Sequence, residues 1–227
     1  MSIFNFLSNI LLFFGAVLGM GIGYKIHDKS SKGLKLILSF SGAFLLGVTI
    51  FHLMPEVFSK VNNKPGLWIV SGIILQILLE NLSQGTEHGH SHIKSNEYLP
   101  WILFLSLCLH AFIEGLPLGH ESSLVWGIFI HKIPIGMVLF YMIWDTKSTK
   151  TLKIIALFIF AIMSPLGSIT LEYNDSLQNY QTQITAIVMG MLLHISTTIL
   201  FESNQGHAFN IRKLLTILLA FGISYFI

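Results

Sequence analysis

Charge is scarce in this chain. Asp, Glu, Lys and Arg together make up 11% of its 227 residues, against about a quarter in soluble proteins, and that scarcity excludes an ordinary water-soluble globule. Cysteine is nearly absent: Cys108 stands alone inside an apolar run, which excludes a disulfide framework. No Gly-rich P-loop signature occurs and no soluble domain fits between the apolar runs, so an ATP-driven pump is not expected. His-Glu-x-x-His is also missing, which argues against an intramembrane metal-dependent hydrolase and against an enzyme altogether. The net charge of +2 comes from lysines scattered along the chain without a basic face, so no nucleic-acid partner is expected.

What the chain has in abundance is apolar length. Hydrophobic residues make 53% of it and the mean hydropathy is +0.71. Runs long enough to cross a bilayer, roughly 20 residues, recur from end to end. They predict an all-α polytopic membrane helix bundle of eight transmembrane helices, at about 3–24, 33–58, 66–84, 99–119, 123–144, 151–171, 183–202 and 211–227. The joints carry loop punctuation such as "HDKSSKG", "KVNNKPG" and "DTKSTK". The first run lacks a basic start and a small-residue cleavage site, so it reads as a helix that stays rather than a signal peptide. The whole, 1–227, is expected to be one transmembrane domain with a histidine-containing loop at 85–98.

Charge orients the bundle. Lys25, Lys29, Lys32, Lys35, Lys94, Lys147, Lys150, Lys153, Arg212 and Lys213 fall in the odd-numbered loops, whereas Lys60 and Lys64 fall on the other side. The positive-inside rule then makes the ten-residue side cytoplasmic and places both termini outside. The expected location is the cell (inner) membrane.

Against this apolar background a few polar residues are costly, and they carry the chemistry. In "HKIPIGM" the chain places His131, Lys132 and Pro134 midway along the fifth run. A charge in mid-membrane costs a few kcal/mol even on lenient scales and usually marks a functional path. In the fourth run His110 and Glu114 are four apart, one turn apart on one helix face. Imidazole and carboxylate at that spacing can grip one divalent cation from one side, and His131 can close the site from the neighbouring helix. The third loop reads "TEHGHSH", in which His88, His90 and His92 alternate with small residues beside Glu87. Such imidazoles suit loose collection of a soft or borderline cation on the cytoplasmic side. His52 and His194, taken singly, read equally as helix-to-helix hydrogen bonds or as pathway groups; together with Glu56 and Glu202 they are pathway candidates. Gly15, Gly19 and Gly23 form the small-xxx-small pattern of helix packing.

In order and spacing, "HLMPE" (52–56), "HAFIEG" (110–115), "HKIPIG" (131–136), "SPLGS" (164–168) and the histidine-rich loop between spans three and four resemble the ZIP family of zinc and iron permeases, over essentially the whole chain. The resemblance implies an inverted repeat, spans 1–3 and 6–8, around a metal path on spans 4 and 5. It implies zinc or another divalent metal as the transported substrate, the metal ion and the lipid bilayer as partners, and leaves a homodimer open. His110, Glu114 and His131 match the family's first metal position. Ala111, Lys132 and Ile135 depart from the pattern at the second, which they weaken or remove. Lys132 is then expected to stand in for the second cation, beside Glu114. The alternative is a non-transporting relative, a scaffold or metal sensor, in which Glu114 and Lys132 form a structural lock.

Overall fold

The computed structural model describes residues 3–26, 31–60, 64–83, 98–119, 122–202 and 211–227, and among them every regular element is helical. In chain order these are α1 (Ile3–Ile26), α2 (Ser31–Val48), a π-helical segment (Thr49–Leu53), α3 (Met54–Lys60), α4 (Pro65–Ser83), α5 (Trp101–Gly115), a 3₁₀ turn (Leu116–Gly119), α6 (Ser122–Trp144), α7 (Lys150–Glu172), the short α8 (Asp175–Gln178), α9 (Gln181–Glu202) and α10 (Ile211–Tyr225). In lipid, only helices satisfy their own backbone groups without an edge, so apolar sequence of this length resolves into helices.

Seven of these helical stretches are at least 18 residues long and apolar enough to cross a membrane. The eighth expected span is present as α10, with 15 helical residues, shorter than the roughly 20 of a full crossing. The second span is not uniform. Pro55 has no N–H to offer the carbonyl of Phe51, and the helix widens into the π-helical segment over the residues just before it. Two further details were not expected from the sequence: α8, capped by the Asn174 side chain, which accepts from Leu177 N, and the tightening of α5 into a 3₁₀ turn where Pro117 interrupts it.

The helices pack as α1 on α6 and α7, α5 on α7, α4 on α5 and α9, and α2 on α6, α9 and α10. Exchange of α1, α2 and α4 with α7, α9 and α10, and of α5 with α6, maps α1–α6 onto α7–α5, α4–α9 onto α10–α2, and α1–α7 and α2–α9 onto themselves, whereas α2–α6 and α4–α5 pack far more extensively than their counterparts α9–α5 and α10–α6. Most of the packing thus follows an inverted repeat of three spans around a central pair, and the central pair leans on α2 and α4 rather than on α9 and α10.

Backbone-to-backbone contacts join six of the helices in three pairs, α1 with α6, α5 with α7 and α4 with α9. A Cβ on Gly19 would strike the carbonyl of Ile133, and one on Gly115 the carbonyl of Ser164, so α1 packs on α6 and α5 on α7 with no room for a side chain between. Gly72 and Gly190 join α4 and α9 in the same way, at Ile187 and Ile69. Between α6 and α2 the spacing is wider, since a Cβ on Gly127 would meet only the side chains of Val48 and Leu45. Small residues that bring backbones together are the main source of helix association where lipid removes the hydrophobic drive. The most buried span is α6, and the polar centre lies on it.

Candidate metal centre

His110 and Glu114 occupy the last two turns of α5 and point the same way because they are one turn apart. His131 and Lys132 lie midway along α6, three and two residues before Pro134. All four side chains are buried, Lys132 at 1% exposure and the other three at 0%. Ligand atoms of His110, Glu114 and His131 lie within 4.8 Å of one another, and among the described residues this is the one such group of three His, Cys, Asp or Glu. The two imidazole rings meet edge to face with centroids 6.4 Å apart.

The carboxylate of Glu114 divides its work between two sides. Oε1 accepts from Ser164 Oγ at 3.2 Å and faces Lys132 Nζ at 2.5 Å. Oε2 lies 3.3 Å from His110 Nε2. Tetrahedral zinc with bonds of about 2.0–2.1 Å holds neighbouring donors roughly 3.3 Å apart, so these two atoms already stand at the spacing of a shared cation. His131 offers a third ligand atom within 4.8 Å of these two.

Neighbouring helices orient the imidazoles. Gln76 of α4, fully buried, places Oε1 3.0 Å from His110 Nδ1. In that arrangement Nδ1–H donates and the ring is held with Nε2 on the side of Glu114 and the centre, the usual device for aiming a metal-ligating histidine. Ser41 of α2 stands 3.4 Å from His131 Nδ1. The ammonium of Lys132 lies 4.8 Å from the centroid of the Phe160 ring, a cation–π contact that helps hold it in place. The single hydroxyl proton of Ser164 is shared between Glu114 Oε1 and the nearer Ala111 carbonyl, 2.7 Å from Oγ, which pins α7 against the turn between His110 and Glu114.

The other sequence candidates stand elsewhere. His52 Nε2 is 2.8 Å from the Ser224 carbonyl and ties the π-helical segment to α10. Glu56 pairs with Lys60 one turn on, at 2.5 Å. His194 meets Glu80 across α9 and α4, Nε2 to Oε2 at 2.5 Å. The histidine loop, with His88, His90 and His92, lies outside the described residues, as does the side chain of Glu202.

Sequence reasoning missed Gln76, Ser41, Phe160 and Glu80 as participants. Gln76 and Glu80 had a signal: they are polar residues four apart in the otherwise oily "SGIILQILLE", the same spacing that drew attention to His110 and Glu114. Ser164 was visible in "SPLGS", without a role. Ser41 and Phe160 had none, since serine and phenylalanine are ordinary on membrane helices.

Comparison with known proteins adds an independent line. The family model described as ZIP Zinc transporter matches residues 80–227. Protein zntD of Dictyostelium discoideum is 35% identical over 105 residues, which is 38% of this chain and 15% of that protein. The zinc transporter ZIP13 homolog of Drosophila melanogaster is 37% identical over 71 residues, 28% of this chain and 20% of the relative. The aligned segments thus span no more than a fifth of these curated relatives. The residues matched by the family model include α5, α6 and α7, and with them the buried His-Glu-His group and Lys132; on that match the chain belongs to the ZIP zinc transporter family.

Proposed function

We propose that this chain moves a divalent metal cation, zinc first and iron or manganese next, across the membrane and into the cytoplasm through the centre between α5 and α6. The observation that carries this reading is the buried set of two imidazoles and one carboxylate, drawn from two adjacent membrane helices and within 4.8 Å of one another. Such donors suit borderline first-row cations, and ionisable groups at this depth mark a path. His110 Nε2, Glu114 Oε2 and His131 are the ligands, with water completing the shell. Gln76 and Ser41 aim the two rings. Lys132 occupies the second cation position that the family pattern fills with metal, neutralising the Oε1 side of Glu114. The basic loops face the cytoplasm, both termini face out in the cell membrane, and the loop at 85–98 collects the ion on the inner side.

A second reading has one observation in its favour. Glu114 already has a cationic partner at 2.5 Å, so the site is neutral without metal, and a non-transporting relative could use the pair as a lock. Uptake of zinc, iron and manganese into proteoliposomes, with His110→Ala and Glu114→Ala as controls, separates the two. Transport predicts saturable uptake that both substitutions abolish; a lock predicts no uptake by the wild type.

A further inference from the structure

We propose that Ser168 and Glu172 of α7, with Asn9 of α1, line the approach by which a hydrated divalent cation reaches Glu114 from the side of the membrane on which α1 begins. The inference rests on the transport reading above and extends it from the centre to its access. Ser164, Ser168 and Glu172 recur every four residues, so they share one face of α7. The first of them donates to Glu114, and the last ends the helix. The stripe therefore runs from the metal centre to the membrane edge.

Two buried polar groups along this route have no protein partner among the described residues. Serine and threonine hydroxyls on membrane helices ordinarily bond back to their own helix, as Ser39, Thr49, Ser71 and Thr170 do here to the carbonyl four residues earlier. Ser168 does not: it is 2% exposed and its Oγ has no hydrogen bond. Asn9 is 8% exposed, and neither its Oδ1 nor its Nδ2 finds a partner. Asn9 lies on the face of α1 that also carries Ala16 and Met20, 7 and 11 residues on. Those two pack in one cluster with Leu157, Phe160 and Ala161 of α7 and Ala111 of α5, so this face of α1 looks toward α5 and α7. Helix α1 also packs on the 3₁₀ turn that follows Glu114.

A buried polar atom left without a partner costs about 1–3 kcal/mol, and in a membrane bundle such groups persist where water or an ion satisfies them. The donors on this route are a hydroxyl, an amide carbonyl and a carboxylate, all oxygen. Oxygen donors trade easily with the water shell of a divalent cation and hold first-row metals more weakly than imidazole does. A cation would therefore pass down the stripe to the nitrogen-rich centre, where it is held more firmly. In the conformation seen the route is shut to bulk water, as the exposure of Ser168 shows, so access requires α1 and the outer half of α7 to part.

The test uses the full chain with Cys108→Ala, reconstituted in vesicles, and adds Ser168→Cys, Glu172→Cys or, as a control off the stripe in the other half of α7, Phe158→Cys (Phe158 is 56% exposed and its ring meets Phe13 of α1 edge to face). A membrane-impermeant thiosulfonate is applied to the side where α1 begins, with and without zinc. The expected result is labelling of the Glu172→Cys and Ser168→Cys variants, slowed several-fold by zinc at position 168, and none at position 158. Asn9→Leu and Ser168→Val should each lower the initial rate of zinc uptake at least fivefold while leaving equilibrium zinc affinity in detergent within twofold. Labelling of Ser168→Cys no faster than of Phe158→Cys, or wild-type uptake rates in both apolar variants, overturns the approach. Zinc-sensitive labelling at 168 in a protein that takes up no metal instead upholds the approach and refutes the transport reading.

Discussion

Replacing Lys132 by methionine keeps the volume of the side chain and removes its charge, so it isolates the electrostatic part of the metal site. With Nζ 2.5 Å from Oε1 of Glu114, a zinc ion bonded at about 2.0 Å to Oε2 stands roughly 5–6 Å from the ammonium. At an effective dielectric of about 20, a divalent cation and a unit charge at that separation repel by about 6 kcal/mol, an upper bound once side chains and water relax. A factor of ten in affinity corresponds to about 1.4 kcal/mol. The Lys132→Met protein should therefore bind zinc between tenfold and about ten-thousandfold more tightly. Lys132→Asp, which also adds a donor, should bind more tightly still.

Stability moves in the opposite direction. Without metal, Lys132→Met leaves a carboxylate at 0% exposure with His110, His131 and Ser164 beside it and no fixed cation, and removing one partner of a buried ion pair costs about 3–5 kcal/mol. The metal-free variant should melt lower than the wild type, and zinc should restore it by more than it stabilises the wild type, because a ligand stabilises a fold in proportion to the logarithm of its concentration over Kd. Competition titration against a zinc chelator measures the affinity, and thermal unfolding with and without zinc measures the rescue. Equal or weaker zinc binding in folded Lys132→Met and Lys132→Asp proteins would refute the account of Lys132 as a built-in second cation. A melting point lowered equally with and without zinc would instead identify the pair as a lock.

Gln76→Leu removes the acceptor that aims His110 and should weaken zinc binding by about 10- to 100-fold, the usual cost of losing such a partner; an unchanged titration would show that the ring is held by its own helix. Gly115→Ala drives a methyl group into the Ser164 carbonyl and should destabilise the bundle by about 1–3 kcal/mol, as overpacking does, seen as a lower melting temperature with or without metal. Replacing His88, His90 and His92 together with serine should leave uptake intact and shift its apparent affinity by no more than a few-fold; complete loss of uptake in a well-expressed variant would make those residues essential.

The span pattern was legible in the sequence because lipid leaves the chain few options: length, hydropathy and loop punctuation place α1, α4, α6, α7 and α9 within about two residues of where they lie. His110 and Glu114 were legible for a related reason, since a four-residue spacing on a helix is a statement about direction. What the sequence does not contain is which helix faces which. Gln76 meets His110 and Ser41 meets His131 only because α4 packs on α5 and α2 on α6, and those neighbours are separated by 34 and 90 positions in the chain. His52 illustrates the converse. Its motif suggested a path, but its ring reaches the last turn of α10, a partner 172 positions away that no local pattern could announce.

The same packing separates the residues that bind from the residues that aim. His110, Glu114 and Ser164 belong to α5 and α7, joined backbone to backbone at Gly115 and Gly167, and His131 and Lys132 belong to α6, joined in the same way to α1 at Gly19 and Gly136. Gln76 belongs to α4, joined backbone to backbone to α9 through Gly72 and Gly190, and Ser41 to α2, whose Gly42 and Gly47 meet mainly the side chains of Ile199, Ser224 and Phe221. Between α6 and α2 the spacing at Gly127 is likewise set by side chains. Interfaces of the first kind resist displacement, because any shift drives backbone into backbone, whereas side chains can re-pack. A displacement of α4 and α2 relative to α5 and α6 would break the Gln76–His110 and Ser41–His131 contacts, each worth about 1 kcal/mol net. Those two contacts orient the His110 and His131 rings, so under the proposed transport their loss would lower metal affinity in the displaced state. Affinity and position are in this way coupled through two hydrogen bonds, and Gln76→Leu reproduces the weakened state with the helices in place.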